Sequence, residues 1–151
     1  MEPAFLMMGG FGKVAAQPEN RILVDAERTD IYGIPTPVLQ FRFGSLDQAV
    51  YKEMRNTVGE VCDRLKCEVM KPLGERPSGF ASHEAGTVRM GKDAKTSALN
   101  SFCQSHDVKN LFVTDASTFT TSSEKNPTLT IMALSLRAAD YIKDRRRRGE
   151  L

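Results

Sequence analysis

The chain has 151 residues, 40% of them hydrophobic, with 21 lysines and arginines against 19 aspartates and glutamates. That is enough apolar material for one core or for part of a larger one, and a net charge of +2 gives no reason to expect a nucleic-acid partner. No apolar run approaches the ~20 residues that cross a bilayer, and the start, MEPAFLMMGGFGK, lacks the basic-then-apolar pattern of a secretory signal. Cys62, Cys67 and Cys103 are odd in number and include no C-x-x-C pair. They predict packed, reduced thiols rather than a disulfide framework or a zinc site.

Residues 1–20 contain a formal G-x-G-x-x-A match at Gly10, Gly12 and Ala15. A dinucleotide fingerprint needs a strand before it and a long helix after it, and Pro18 ends any helix almost at once. This stretch is expected to be a glycine-rich loop. Ile22, Leu23 and Val24 predict a short strand, residues 32–35 a turn, and Val38, Leu39, Phe41 and Phe43 a second strand, expected to pair antiparallel with the first. Ser45 with Gln48 three residues later fits a capping box. Apolar residues at helical spacing from Leu46 to Leu65 then predict an amphipathic helix without catalytic function. Pro72, Gly74, Pro77 and Gly79 predict a loop at a subdomain boundary.

Downstream, NLFVTD (110–115) reads as a buried, parallel-type strand ending in a carboxylate. A polar loop leads to residues 127–142, whose apolar side chains cover almost every side of a helix. A helix apolar all round is buried all round, so this one is expected to sit inside a larger body. The tail, KDRRRRGEL, reads as a solvated end that suits the negative pole of the helix.

Two places carry chemistry. Asn126 is a favoured N-cap residue and Pro127 fits the first helical position. The N–H groups of Thr128, Leu129 and Thr130 would then face outward with the helix dipole behind them, a setting for an anion or for developing negative charge. Taken alone, the cap is better explained as no more than a good helix start. His83 lies in SHEAGTVRMG, where Gly86 and Gly91 permit close backbone approach. Histidine is the natural proton acceptor near neutral pH, although a lone histidine is more often structural. His106, in QSHDVKN, reads as a loop residue.

In order, SHEAGTVRMG, SHDVKNLFVTDASTF and NPTLTIMALSLRAADYI resemble the C-terminal part of the glucose–methanol–choline (GMC) flavin oxidoreductases. Three ordered motifs over residues 82–142 are far more specific than any one alone. ENRILVD and YGIPTPVLQFRF resemble the substrate-domain strands that precede them, and the sugar and polyol dehydrogenase branch looks nearest. The implied fold is α/β: part of an antiparallel substrate-domain sheet with a helix, plus the returning strand–loop–helix of the FAD domain. The implied division is a glycine-rich segment (1–20), substrate-domain strands and helix (21–75), and an active-site loop with the last strand and helix (76–151).

The resemblance implies FAD as cofactor and a small alcohol or sugar as substrate. It makes His83 the acceptor of the substrate hydroxyl proton and Asn126 a hydrogen-bond partner of the same oxygen. Asp115 and Ala116 would lie along the ribityl and pyrophosphate part of FAD, and the backbone at Pro127, Thr128 and Leu129 near the flavin ring. No metal is implied. The family's N-terminal G-x-G-x-x-G unit has no counterpart here, so the chain resembles a C-terminal portion whose partner is a missing FAD-binding domain. Alone it is expected to bind FAD weakly or not at all. The alternatives are a truncated, non-catalytic packing module and a flavin-dependent lyase on the same scaffold.

Overall fold

The computed structural model describes residues 5–68 and 82–151. The predicted loop around Pro72 and Gly79 lies outside the described residues. The elements are β1 (Arg21–Thr29), β2 (Pro35–Gln40), α1 (Ser45–Leu65), a single 3-10 turn (Ala116–Thr118) and α2 (Thr128–Arg147). The mixed α/β class expected from the sequence is what forms.

β1 and β2 make an antiparallel hairpin in which Arg21 opposes Gln40 and Val24 opposes Pro37. Asp30 closes its turn, accepting the N–H groups of Tyr32 at 2.8 Å and Ile34 at 3.0 Å through one oxygen. The other end is closed by Asn20, which donates to the Arg42 carbonyl and accepts the Arg42 N–H. Phe41 and Phe43 fall just past β2 and meet edge to face, with ring centroids 5.1 Å apart.

α1 starts one residue earlier in role than the sequence predicts. The cap position is Gly44, and the side chain that serves it is Asp47, not Gln48. The Asp47 carboxylate accepts the N–H of Gly44 at 2.7 Å, the N–H of Ala15 at 2.8 Å and the amide of Gln17 at 3.3 Å. A carboxylate takes up more donors than a glutamine oxygen and also suits the positive helix end. It therefore straps the glycine-rich segment onto α1. Gly10 and Gly12 sit hard against Met54 and Val50, so the G-x-G pattern records helix packing rather than phosphate binding.

The second packed unit spans residues 82–151, and its core lies between α2 and the loops before it, with Leu99, Cys103, Thr118 and Ala138 fully buried. NLFVTD does not form the expected strand. It contributes one isolated bridge, Phe112 to Gln104, plus a bond from the Val113 N–H to the Cys103 carbonyl. A buried parallel strand needs sheet neighbours on both sides, and the described residues supply only this one antiparallel bridge.

Among the described residues, α2 is covered along one face only. One face docks: Ala138 is buried, Tyr141 stacks on Phe102 at 4.2 Å and 8°, and the Ser135 hydroxyl reaches the Thr114 carbonyl at 2.9 Å. Arg137 hydrogen-bonds the Ser101 carbonyl, and Arg145 lies over the Tyr141 ring. The opposite stripe stays open, with Leu129 78%, Met132 58% and Leu136 69% exposed. The helix is apolar on two faces, and the described residues cover one of them. No described helix is long and apolar enough to cross a membrane.

Candidate active site

The motif around His83 is held in place by its backbone. The N–H groups of Gly86, Val88 and Met90 donate to the carbonyls of Ala116, Ser117 and Thr118 at 3.2, 2.9 and 3.0 Å. All three carbonyls of the 3-10 turn therefore have partners in the same short segment. The other side of that segment bonds residues 97–99: Ala98 and Leu99 both donate to the Arg89 carbonyl, and Gly91 donates to the Leu99 carbonyl. Two glycines are required here. Gly86 has φ +84, and a Cβ on it would stand 3.2 Å from the Phe119 carbonyl; a Cβ on Gly91 would stand 2.6 Å from the Ser97 Cβ. The close approach read from the sequence is real, and its counterparts are backbone and a neighbouring loop.

His83 precedes Gly86 by three residues, half-buried, with no hydrogen-bond partner among the described residues. Asp115 caps the 3-10 turn. Its Oδ1 accepts both the N–H and the hydroxyl of Ser117, while Oδ2 is left without a partner among the described residues. These bonds, hydroxyl first, hold its carboxyl below the usual carboxylate range. Ala116 opens the turn, half-buried, and its carbonyl accepts from Gly86 and Phe119.

At the start of α2 the geometry differs from the sequence expectation. Pro127, not Asn126, occupies the cap position, with helical φ −84 and ψ −12, and its carbonyl accepts the Ile131 N–H at 3.0 Å. Asn126 is exposed and bonds nothing among the described residues, so it is not a side-chain cap. Proline already fixes the φ that a helix start needs. The N–H groups of Thr128, Leu129 and Thr130 have no acceptor among the described residues and stand at the exposed helix end. The site residues thus fall into two groups, His83 to Ala116 through the Gly86 bond and residues 126–129 at the helix start. The Ser135–Thr114 bond ties α2 to the first group, and no hydrogen bond joins His83 to Asn126 among the described residues.

Three contributors were not singled out by sequence. Ser117 governs the Asp115 carboxyl, and Ser135 anchors α2; isolated serines in a polar run carry no pattern that marks them. His106 proves to be a brace. The Ser97 hydroxyl gives its hydrogen to the Asp93 carbonyl at 2.7 Å, so its oxygen accepts from His106 Nε2 at 3.1 Å; the same nitrogen lies 3.3 Å from the Gly91 carbonyl. That pattern assigns the ring hydrogen to Nε2. Beneath this brace Cys103, at φ +62, points its thiol at the Met90 sulfur 3.7 Å away. Burial pushes the Cys103 thiol up, with Arg137 opposing. No group of three or more metal-ligating side chains exists among the described residues.

The chain is a member of the GMC oxidoreductase family, whose model matches residues 17–135. It is 34% identical over 142 residues to a 2-methyl-1,2-propanediol dehydrogenase of Mycolicibacterium austroafricanum, covering 93% of this chain and 25% of that protein. It is 31% identical over 143 residues to the fructose dehydrogenase large subunit of Gluconobacter japonicus, covering 91% and 25%. To a C-glycoside 3-oxidase of Arthrobacter globiformis it is 32% identical over 149 residues, covering 91% and 27%. The chain spans about a quarter of the length of these relatives.

Proposed function

We propose that this chain is the catalytic C-terminal portion of an FAD-dependent oxidoreductase that oxidises a CH–OH group of an alcohol, polyol or sugar. The observation that carries it is the bonding of the Gly86, Val88 and Met90 amides to residues 116–118, together with a helix, α2, whose first three N–H groups have no acceptor among the described residues. Relatives named as a propanediol dehydrogenase, a fructose dehydrogenase and a C-glycoside oxidase support the substrate class.

Bound flavin would supply the acceptor for the hydride that leaves the substrate carbon. His83, with no hydrogen-bond partner among the described residues, takes the proton from the substrate hydroxyl. Asn126, exposed and without a partner there, donates its amide to the same oxygen and fixes its position. The N–H groups of Thr128 and Leu129 face negative charge gained by the ring system, and the helix dipole adds to them. Asp115 keeps Oδ2 to accept from a cofactor hydroxyl, since Oδ1 is taken by Ser117. These residues fit the cofactor's ring and chain, whereas the described residues include no strand–glycine-loop–helix for its adenine half. Another domain supplies that half.

A non-catalytic packing role is favoured by one observation, the exposed Leu129, Met132 and Leu136 stripe. Anaerobic mixing of the longest polypeptide the gene encodes with sugars, polyols and simple alcohols separates the two. Bleaching of the oxidised flavin by one of them supports catalysis. Flavin that binds but is never reduced by any of them overturns it.

A further inference from the structure

The end of α1 brings two of the three cysteines together. Past Leu65 the chain turns at Lys66, which holds φ +53, in the left-handed region that residues other than glycine enter reluctantly. Lys66 gives its N–H to the Asp63 carbonyl at 3.2 Å, and Cys67 gives its N–H to the Cys62 carbonyl at 2.9 Å. These are the two bonds of a Schellman closure, in which the first and last of six residues come side by side. An apolar pair commonly makes the side-chain contact there. Here those positions are Cys62 and Cys67. A direct backbone bond between them keeps their Cα atoms within the span of a disulfide.

The three thiols are free and differ in access. Cys67 is exposed, with its sulfur 3.8 Å from the Leu65 carbonyl at the helix end. Cys62 is buried, and Cys103 is fully buried with its thiol on the Met90 sulfur. Attack on an external disulfide needs a thiol that solvent reaches. Cys67 meets that condition. Cys62 is shielded from the reagent but adjacent to Cys67, the position of a resolving thiol. Cys103 has neither access nor a neighbouring cysteine among the described residues.

We infer that Cys62 and Cys67 are a reversible dithiol site, closed by a low-molecular-weight disulfide of the glutathione type. The Cys67 thiolate attacks one sulfur of the reagent, which forms a mixed disulfide and releases one reduced thiol. The Cys62 thiolate then attacks the Cys67 sulfur, which forms the intrachain S–S bond and releases the second. The protons of the two protein thiols pass to the two leaving thiolates. Two protein thiols are thereby oxidised, and one reagent disulfide is reduced to two thiols. The bridge fastens the exit of α1 to its last turn and holds Lys66 in its left-handed conformation. No step involves flavin, so the site stands apart from the function proposed above.

Peptide mapping of the longest polypeptide the gene encodes, equilibrated with oxidised and reduced glutathione and then alkylated, tests this. Trypsin cuts after Arg64 and Lys66, so Cys62 and Cys67 fall on separate peptides that only a disulfide keeps joined. With reduced glutathione at about 0.1 mM, an effective concentration of Cys62 on the order of 1 mM should put the bridged form about tenfold above the Cys67–glutathione adduct. Dithiothreitol should return both thiols, and Cys103 should stay reduced throughout. Cys62→Ser should make the adduct the end product, and Cys67→Ser should leave Cys62 unmodified. Three results in the wild-type map overturn the inference: a Cys67 adduct that persists as the main product, no reaction at Cys67, or either cysteine joined to a different one. That map decides whether or not the variants fold.

Discussion

Gly86 gives its N–H to the Ala116 carbonyl at 3.2 Å while holding φ at +84, and the carbonyl of Phe119 occupies the space a side chain would need. The His83 loop is therefore fixed to the Asp115 turn at a position only glycine fills without strain. Gly86→Ala is expected to cost ~1–3 kcal/mol. Denaturant unfolding of the longest encoded polypeptide measures it. An unchanged midpoint would mean that the loop relaxes freely and that its glycine does not set the site.

Asp47 is buried and serves three donors from three separate places, Gly44, Ala15 and Gln17. Asp47→Ala leaves two backbone N–H groups without their acceptor and removes the anion from the start of α1. The expected loss is ~2–3 kcal/mol, in the range for hydrogen bonds to a charged group. Limited proteolysis supplies an independent measure, because residues 5–17 lose their strap and should be cut first. Resistance equal to the wild type would show that contacts at Val50 and Met54 hold the segment alone.

The hairpin was legible in the sequence because its signals are local: apolar runs, a turn, and pairing partners a few residues apart. α1 was legible from its periodicity, yet its cap was assigned to the wrong residues, since Ser45 and Gln48 satisfy the pattern as well as Gly44 and Asp47 satisfy the bonds. The NLFVTD segment has a buried strand's composition, but a strand is defined by its neighbours. The same applies to α2, whose apolar residues announce burial without saying what does the burying. The order of the His83, Asp115 and Asn126 motifs was plain in the sequence. How they are joined was not, because the joints are main-chain amides and two unremarkable serines, Ser117 and Ser135.

Asp115 gives a pH prediction with a definite sign. Its folded-state carboxyl is held low, first by the Ser117 hydroxyl and then by the Ser117 N–H. A depressed carboxyl adds stability above its unfolded value near ~3.9, and loses it as pH falls through the folded one. Asp115 is well exposed, so solvent screens the effect and it stays small. Ser117→Ala removes the larger of the two donors and leaves the backbone one. Carboxyl-carbon NMR titration should show Asp115 moving upward while remaining under the ordinary carboxylate range. A midpoint that does not move in the variant would remove the hydroxyl as the cause.

His83 and Asn126 are separable by experiment because neither supports the fold through a hydrogen bond among the described residues. His83→Ala should slow alcohol-driven flavin reduction by ~10²–10⁴-fold, the range for losing a general base, and near-normal reduction would falsify its assignment. Asn126→Ala is the sharper test. Had Asn126 capped α2 with its side chain, alanine would cost ~1 kcal/mol of stability. With Pro127 in the cap position, the expected change is within ~0.5 kcal/mol, as for a surface substitution. Turnover should nevertheless fall, because the amide that orients the substrate oxygen is gone. The combination of unchanged unfolding and impaired reduction identifies Asn126 as a group that acts on substrate. Lowered stability with unimpaired reduction would return it to the helix.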